Sequence, residues 1–189
     1  SRLPSRPSGK CCRRLRRMKL AFIGPDMTGK SNIAEALSSK LNIPVFKNEG
    51  EWKTKLSGED YFVNLLRYGG PFLMDFMKQT NASVILDRFY PCELVYAEAF
   101  GRQTDNEVVS WMDSEFSKLD GKFIICVKRD YSGLVDDVFP DQLPKEKLEE
   151  IDSLYRKFYE FTGCDCLILE TDDHDLERQT NEIIKFIGV

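Results

Sequence analysis

The chain has 189 residues, with 27 basic and 31 acidic side chains and a formal net charge of −4. This length supports one well-buried domain rather than two, and no apolar run is long enough to span a bilayer. Six cysteines without a C-x-x-C pair, beside a single histidine, argue against a structural zinc site and indicate reduced thiols in a cytoplasm.

The first seventeen residues differ in composition from the rest of the chain. They carry seven basic residues and no acid, so residues 18–189 have a net charge of −11. Because they are rich in Pro and Ser and lack apolar periodicity, we expect them to be disordered. A nucleic-acid-binding arm and a targeting peptide are two interpretations, and we favour a third, a non-native extension ahead of Met18. The acidic body argues against tight nonspecific binding to nucleic acid.

Short apolar runs alternate with helical patterns, which is typical of a parallel sheet with crossover helices. The predicted strands are 19–24, 43–47, 83–87, 122–128 and 166–170. The predicted helices are 30–41, 60–78, 93–100, 105–118, 145–161 and 176–187, the third beginning after Pro91. Gly69, Gly70 and Pro71 are expected to divide the second helix into two. The prediction is a single three-layer α/β domain over residues 18–189, with a flexible lid near 130–144.

Residues 24–31 read G-x-x-x-x-G-K-S between the first predicted strand and the first predicted helix. This is the context of a phosphate-binding P-loop. Glycines let the backbone amides point at phosphate oxygens, while the helix N-terminus and Lys30 add positive charge near the β- and γ-phosphates. Ser31 is placed to coordinate Mg²⁺ through its hydroxyl. The motif predicts binding of a nucleoside triphosphate by Gly24, Asp26, Met27, Thr28, Gly29, Lys30 and Ser31.

A second candidate feature is Asp87 followed by Arg88 at the end of an apolar run. Ligands of open α/β sheets bind at the carboxyl edge of the strands, where this carboxylate would emerge. Asp87 could hold a magnesium-bound water or orient an acceptor oxygen, and the planar fork of Arg88 matches two phosphate oxygens. A salt bridge at the strand end is the alternative without function. With Lys30, these two residues are candidate catalytic residues, and Ser31 and Asp87 are the candidate metal ligands.

Both motifs resemble those of the thymidylate kinases, within the wider group of nucleoside-monophosphate kinases. The loop form G-x-D-x-x-G-K-[ST] is matched by residues 24–31, and the second motif, D-R-[YF]-x-x-S-x-x-A-Y, is matched by Asp87, Arg88, Phe89 and Tyr96. Cys92 replaces the Ser of that motif and Val95 replaces its Ala. The resemblance is good over residues 19–100 and weak afterwards.

The resemblance implies a five-stranded parallel sheet in the order 2-3-1-4-5 with helices on both faces. It also implies transfer of the γ-phosphoryl group of MgATP to a deoxynucleoside monophosphate, a thymidylate-like pyrimidine nucleotide, by a homodimer packed through helices. Asp26 would approach the sugar 3′-hydroxyl, Arg88 would bind the acceptor phosphate, and Asp87 would act on the Mg²⁺ side. The other acceptor candidates are Tyr96 from the motif and, on position alone, Phe62 or Phe72 for the base and Arg67 for phosphate.

The segment after the fourth predicted strand departs from the family. Such kinases usually present several lid arginines that stabilise the charge on the transferring phosphoryl group. This chain offers Lys128 and Arg129, followed by four aspartates and no further basic residue until Lys145. We expect Arg129 to serve as the clamp. Arg156 or Lys157 from the next helix, or an unusual acceptor, are the alternatives.

Other functions remain open at this point. One is a kinase of free deoxynucleosides or of a modified base in DNA, and only then would nucleic acid be a partner. Another is a nucleotide-dependent regulatory ATPase, although no signature of a nucleotide switch is visible. We expect a cytoplasmic protein with no membrane partner.

Overall fold

The computed structural model of the chain describes residues 17–47, 65–80, 82–133 and 143–189. Five strands lie in these ranges: β1 Lys19–Ile23, β2 Val45–Lys47, β3 Val84–Asp87, β4 Gly121–Val127 and β5 Asp165–Glu170. Six α-helices lie there too: α1 Lys30–Leu41, α2 Gly70–Thr80, α3 Tyr90–Ala99, α4 Asn106–Lys118, α5 Lys145–Phe161 and α6 Leu176–Ile187. A π-helix, Leu65–Gly69, directly precedes α2.

All five strands are parallel, in the order β2-β3-β1-β4-β5, which confirms the predicted topology. Every residue of β1 is buried, as expected for a central strand that is covered on both faces. Phe22 of β1 is in register with Asp87 of β3. The loop that follows β1 and the residues that follow β3 therefore emerge side by side at the carboxyl edge of the sheet.

The sheet separates two apolar layers, because successive residues of β1 point to opposite faces. Ala21 and Ile23 join a cluster with apolar residues of α2, α3, α4 and α5. Leu20 and Phe22 join the other cluster, with Ile33 of α1 and apolar residues of α6. These layers confirm the three-layer α/β architecture.

The start of one predicted helix is wrong. Helix α3 begins at Tyr90 rather than after Pro91, because proline fits the first turn of a helix, where its missing N–H has no intrahelical partner. The expected division at Gly69 and Gly70 is present as a change from π- to α-helical geometry, without a break in the helical chain. A Cβ on Gly70 would lie 2.6 Å from the Met112 sulfur, so close packing on α4 explains that glycine.

Some predictions fall outside the described residues. They concern residues 1–16, the start of the predicted second helix and most of the predicted lid near 130–144. None of the helices in the described ranges combines the length and the apolar composition that a membrane span requires.

The close approach of the chain after β1 to the backbone of β4 requires a glycine at position 24. Its φ is +140°, and a Cβ there would lie 2.1 Å from the Cys126 carbonyl oxygen of β4. We expect Gly24→Ala to lower the free energy of unfolding by about 3 kcal/mol, through steric overlap and backbone strain, in urea titrations. Gly101→Ala is the control, since Gly101 also has a positive φ but has nothing within 4 Å of its added Cβ. An equal decrease in the free energy of unfolding for the two variants would contradict the role of close packing at Gly24.

Candidate functional site

The loop between β1 and α1 has the curled backbone of an anion-binding turn. Met27 and Gly29 both adopt left-handed conformations, with φ of 66° and 76°, and such turns direct successive N–H groups towards one anion. The Thr28 hydroxyl donates to the Pro25 carbonyl oxygen at 2.9 Å and closes the loop. Helix α1 then starts at Lys30, so its positive N-terminal end faces the same region.

Lys30 is held inside this loop. Its side chain is buried, and its ammonium group donates to the Pro25 carbonyl oxygen and, at 3.2 Å, to the Thr28 hydroxyl. Burial and, to a smaller extent, the positive charge of Arg88 lower the pKa of Lys30 to about 8, although the negative charge of Asp26 partly offsets both effects. A bound phosphate would supply the negative charge that this ammonium group otherwise lacks.

Ser31 and Asp87 form a pair of oxygen donors beside the loop. The Ser31 hydroxyl donates to Asp87 Oδ2 at 2.6 Å. Asp87 is buried, and its Oδ1 has no hydrogen-bond partner among the described residues. An unpaired buried carboxylate oxygen is unfavourable, and Mg²⁺ in kinases is held by one or two protein oxygens together with substrate phosphates. These two residues therefore fit a magnesium ion.

Arg88 turns back from the end of β3 towards the loop. It has a positive φ of 73°, and its backbone N–H donates to the Phe22 carbonyl oxygen of β1 at 2.9 Å. Its guanidinium group pairs with the Asp26 carboxylate. Burial opposes ionisation of Asp26, but the charges of Arg88 and Lys30 outweigh it and lower its pKa to about 2. Burial likewise opposes the charge on Arg88, yet Asp26 raises the Arg88 pKa.

Tyr96 of α3 joins the same cluster. The Asp26 backbone N–H donates to the Tyr96 hydroxyl oxygen at 3.2 Å. Burial raises the pKa of Tyr96, and the neighbouring Asp26 charge raises it further. Both motifs identified in the sequence thus meet at Asp26, although Asp26 is 62 residues from Arg88 and 70 residues from Tyr96 along the chain.

The remaining acceptor candidates have other surroundings. Arg67 is exposed and pairs with Asp105 at 2.7 Å, and Asp105 itself caps α4 by accepting from the Val108 N–H. Phe72 is 72% exposed on α2. Phe62 lies outside the described residues. The roles assigned to these three stay predictions.

The candidate clamp residues are also engaged in ion pairs. The guanidinium group of Arg129 contacts Glu170 at the end of β5, and its backbone N–H donates to Asp172 at 3.1 Å. Arg156 pairs with Asp152 at 2.6 Å on α5. A clamp made by either arginine would require that it exchange a carboxylate for a phosphoryl group.

Tyr155 of α5 lies beside the predicted site but was not among the residues predicted for it. It is fully buried, and its hydroxyl has no hydrogen-bond partner among the described residues. The groups that influence its pKa include Cys92, Tyr96 and Arg88, so the hydroxyl lies next to the acceptor motif. A polar group on the apolar face of an amphipathic helix was the available signal, since Leu148 and Ile151 precede it at helical spacing.

No protein-family model and no curated protein matches the chain. Solved structures do match. The YorR protein of Bacillus subtilis, in complex with phosphorylated GDP, is 20% identical with a TM-score of 0.65, over 90% of this chain and 95% of that one. The chain has the fold of P-loop kinases.

Two further matches have named kinase activities. Thymidylate kinase from Ehrlichia chaffeensis is 19% identical with a TM-score of 0.56, over 92% of this chain and 99% of that one. Deoxyadenosine kinase from M. mycoides, with dCMP and dCDP bound, is 16% identical with the same TM-score, over 90% of this chain and 99% of that one. At these identities the likeness establishes the fold alone.

The pair of Asp26 and Arg88 should make stability depend on pH. Because the Asp26 pKa falls to about 2 in the folded protein and is near 3.9 in an unfolded chain, its contribution is full above about pH 4 and is lost as the pH falls towards 2. We expect Asp26→Asn to lose less stability than the wild type between pH 4 and 2 in urea titrations. Asp165→Asn, at an exposed ion pair, is the control. Parallel pH profiles for the wild type and Asp26→Asn would contradict the pairing.

Proposed function

We propose that the protein is an ATP-dependent phosphotransferase that transfers the γ-phosphoryl group of MgATP to a deoxynucleoside monophosphate, with a thymidylate-like pyrimidine nucleotide as acceptor. One observation carries this proposal. Arg88, at the end of the neighbouring strand, pairs with Asp26 of the phosphate loop, and the charges of both residues influence the pKa of Lys30 in the same loop. Two cations so close together suit one phosphate on the donor and one on the acceptor.

On the donor side, the backbone N–H groups of residues 27–31 and the N-terminus of α1 bind the triphosphate. Lys30 exchanges its contacts with Pro25 and Thr28 for oxygens of the β- and γ-phosphates. Ser31 and Asp87 would hold Mg²⁺, which when bound neutralises charge on the phosphates. The protein's own contribution is to align the donor and to stabilise the charge of the transferring group.

On the acceptor side, Arg88 exchanges Asp26 for the acceptor phosphate, since its planar fork can grip two oxygens at once. The released Asp26 carboxylate can then accept a hydrogen bond from the sugar 3′-hydroxyl, while Tyr96 holds the Asp26 backbone. Arg129 is the proposed clamp on the transferring phosphoryl group. This exchange orders the events, because Asp26 becomes free only when an acceptor phosphate takes its place.

A kinase of free deoxynucleosides is the second candidate. The structural likeness to deoxyadenosine kinase has the same TM-score as the likeness to thymidylate kinase. The identity of the acceptor distinguishes the two candidate functions. A monophosphate needs the guanidinium group of Arg88, whereas a nucleoside brings no phosphate to it. Incubation with MgATP and a panel of nucleosides, monophosphates and short modified DNA should yield ADP only with a monophosphate. ADP release without any acceptor would favour a regulatory ATPase.

A homodimer is also proposed, in a cytoplasmic protein. Phe72 and Phe76 of α2 are 72% and 38% exposed, and the ring of Phe46 lies 6.1 Å from that of Phe76. Leu66, in contrast, is buried and serves the core. Light scattering of the purified chain measures the mass, and a monomer at all concentrations would contradict this part of the proposal.

Lys30→Ala should abolish most phosphoryl transfer. Removing one preorganised group that stabilises developing charge typically costs about 3 kcal/mol, so we expect kcat to fall a hundredfold or more. Lys40→Ala is the matched control, because Lys40 lies on the same helix but contacts Thr180. Urea titrations check that both variants fold. A folded Lys30→Ala protein with wild-type kcat would contradict the role of Lys30.

Arg88→Ala should weaken binding of the acceptor more than binding of ATP. A hydrogen bond to a charged group contributes about 1.5–3 kcal/mol, so we expect the acceptor KM to rise roughly tenfold to a hundredfold. The KM for ATP should stay within about threefold, a change of less than 1 kcal/mol. Arg67→Ala, measured in parallel, decides whether Arg67 also binds phosphate. A defect confined to ATP in Arg88→Ala would contradict the placement of Arg88 on the acceptor side.

A further inference from the structure

The turn that directly follows β4, residues 128–132, is held by carboxylates from two other parts of the fold. Asp172, which lies after β5, accepts hydrogen bonds from the Arg129 N–H at 3.1 Å and from the Asp130 N–H at 3.4 Å. Asp152 of α5 holds the same turn through the side chain of Tyr131. The turn therefore has two attachments, and it carries the arginine that is proposed to clamp the transferring phosphoryl group.

Tyr131 links the backbone of the turn to α5 through two hydrogen bonds. Its hydroxyl group accepts from the Lys128 N–H at 3.2 Å and donates to Asp152 Oδ2 at 2.7 Å. The other carboxylate oxygen, Oδ1, accepts from Arg156 at 2.6 Å. Tyr131 and Asp152 are both buried. Because water has little access to these groups, the hydrogen bonds between them are strong and hold a fixed geometry.

Asp152 is the charged residue among the buried residues of α5, and the others are apolar or aromatic. Burying a carboxylate is unfavourable, and an apolar residue of similar volume often stabilises a fold at least as well. Stability alone therefore does not account for an aspartate here. Its contacts do, since they order the backbone that leads from Lys128 into Arg129.

The side chain of Arg129 gains from an ordered backbone. It is 75% exposed and contacts the Glu170 carboxylate, so its own packing does little to place it. A backbone that is fixed in advance reduces the conformational entropy lost when the guanidinium group takes hold of a phosphoryl group. The turn thus limits the region that the guanidinium group of Arg129 can reach.

We propose that Tyr131 and Asp152 are positioning residues for phosphoryl transfer, which hold the turn after β4 so that Arg129 can reach the transferring group. This role rests on the proposed function, because it takes Arg129 as the clamp. Both residues act through Arg129 and not by contact with a substrate. Loss of the Tyr131 hydroxyl would leave the ring in the core but release the Lys128 N–H and one oxygen of Asp152.

Tyr131→Phe, made in the full chain with and without Arg129→Ala, tests the proposal. With Arg129 present, we expect kcat to fall about tenfold, since small displacements of a positioned group can reduce rates up to about a hundredfold. Both KM values should stay within about twofold, because a clamp on the transferring group acts in the transition state. In Arg129→Ala, the added substitution should change kcat less than about twofold. An equal loss in both backgrounds would overturn the proposal.

Tyr90→Phe is the matched control. Tyr90 is also a buried tyrosine that donates to a carboxylate, Asp113 at 2.6 Å, but it connects α3 to α4. Any effect of Tyr90→Phe on kcat should be the same with and without Arg129. Asp152→Asn, which keeps an acceptor oxygen, should retain more activity than Asp152→Ala. If Tyr90→Phe depended on Arg129 as strongly as Tyr131→Phe does, the specific role of Tyr131 would be refuted.

Hydrogen exchange followed by mass spectrometry tests the hold on the turn without any turnover. The amides of residues 128–132 should exchange at least about threefold faster in Tyr131→Phe than in the wild type, as expected for loss of one hydrogen bond. Unchanged exchange would overturn the proposal even if kcat fell. A wild-type chain that transfers no phosphoryl group would instead overturn the proposed function. Wild-type kcat in Arg129→Ala would overturn the clamp, and with it the role of the turn in transfer.

Discussion

The parallel pairing of β1 with β3 is the constraint on which the site depends. Because Phe22 and Asp87 are in register, the phosphate loop after β1 and the Asp-Arg pair after β3 begin at the same edge of the sheet. The hydrogen bond from the Arg88 N–H to the Phe22 carbonyl oxygen extends this pairing by one residue. The backbone of Arg88 is left-handed, and its guanidinium group pairs with Asp26 of the phosphate loop.

Three cations at this edge have oxygen partners within the protein. Lys30 contacts oxygens of its own loop, Arg88 pairs with Asp26, and Arg129 pairs with Glu170. Charges that are partly removed from water need such partners. Substrate binding is therefore an exchange of partners, in which phosphate oxygens replace carbonyl and carboxylate oxygens. Such an exchange favours ligands that bring two negative charges close together, as a triphosphate and a monophosphate do.

The local elements of the protein could be predicted from the sequence. The ranges of α1, α5 and α6 match their predictions, because apolar periodicity and end residues are encoded within each segment. The phosphate loop could be identified from residues 24–31 alone, for the same reason. The order of the strands followed from the family resemblance and not from periodicity, which carries no information on neighbours.

The contacts between side chains of the site depend on the tertiary structure. Asp26 and Arg88 are 62 residues apart, Asp26 and Tyr96 are 70 apart, and Ser31 and Asp87 are 56 apart. Local patterns cannot specify such contacts, because they depend on the order and register of strands that are distant in the chain. The contact of Arg129 with β5 and the burial of Tyr155 next to Cys92 also join residues that are distant in the chain. Each residue type suggested its chemistry, and the packing of the sheet determined its partner.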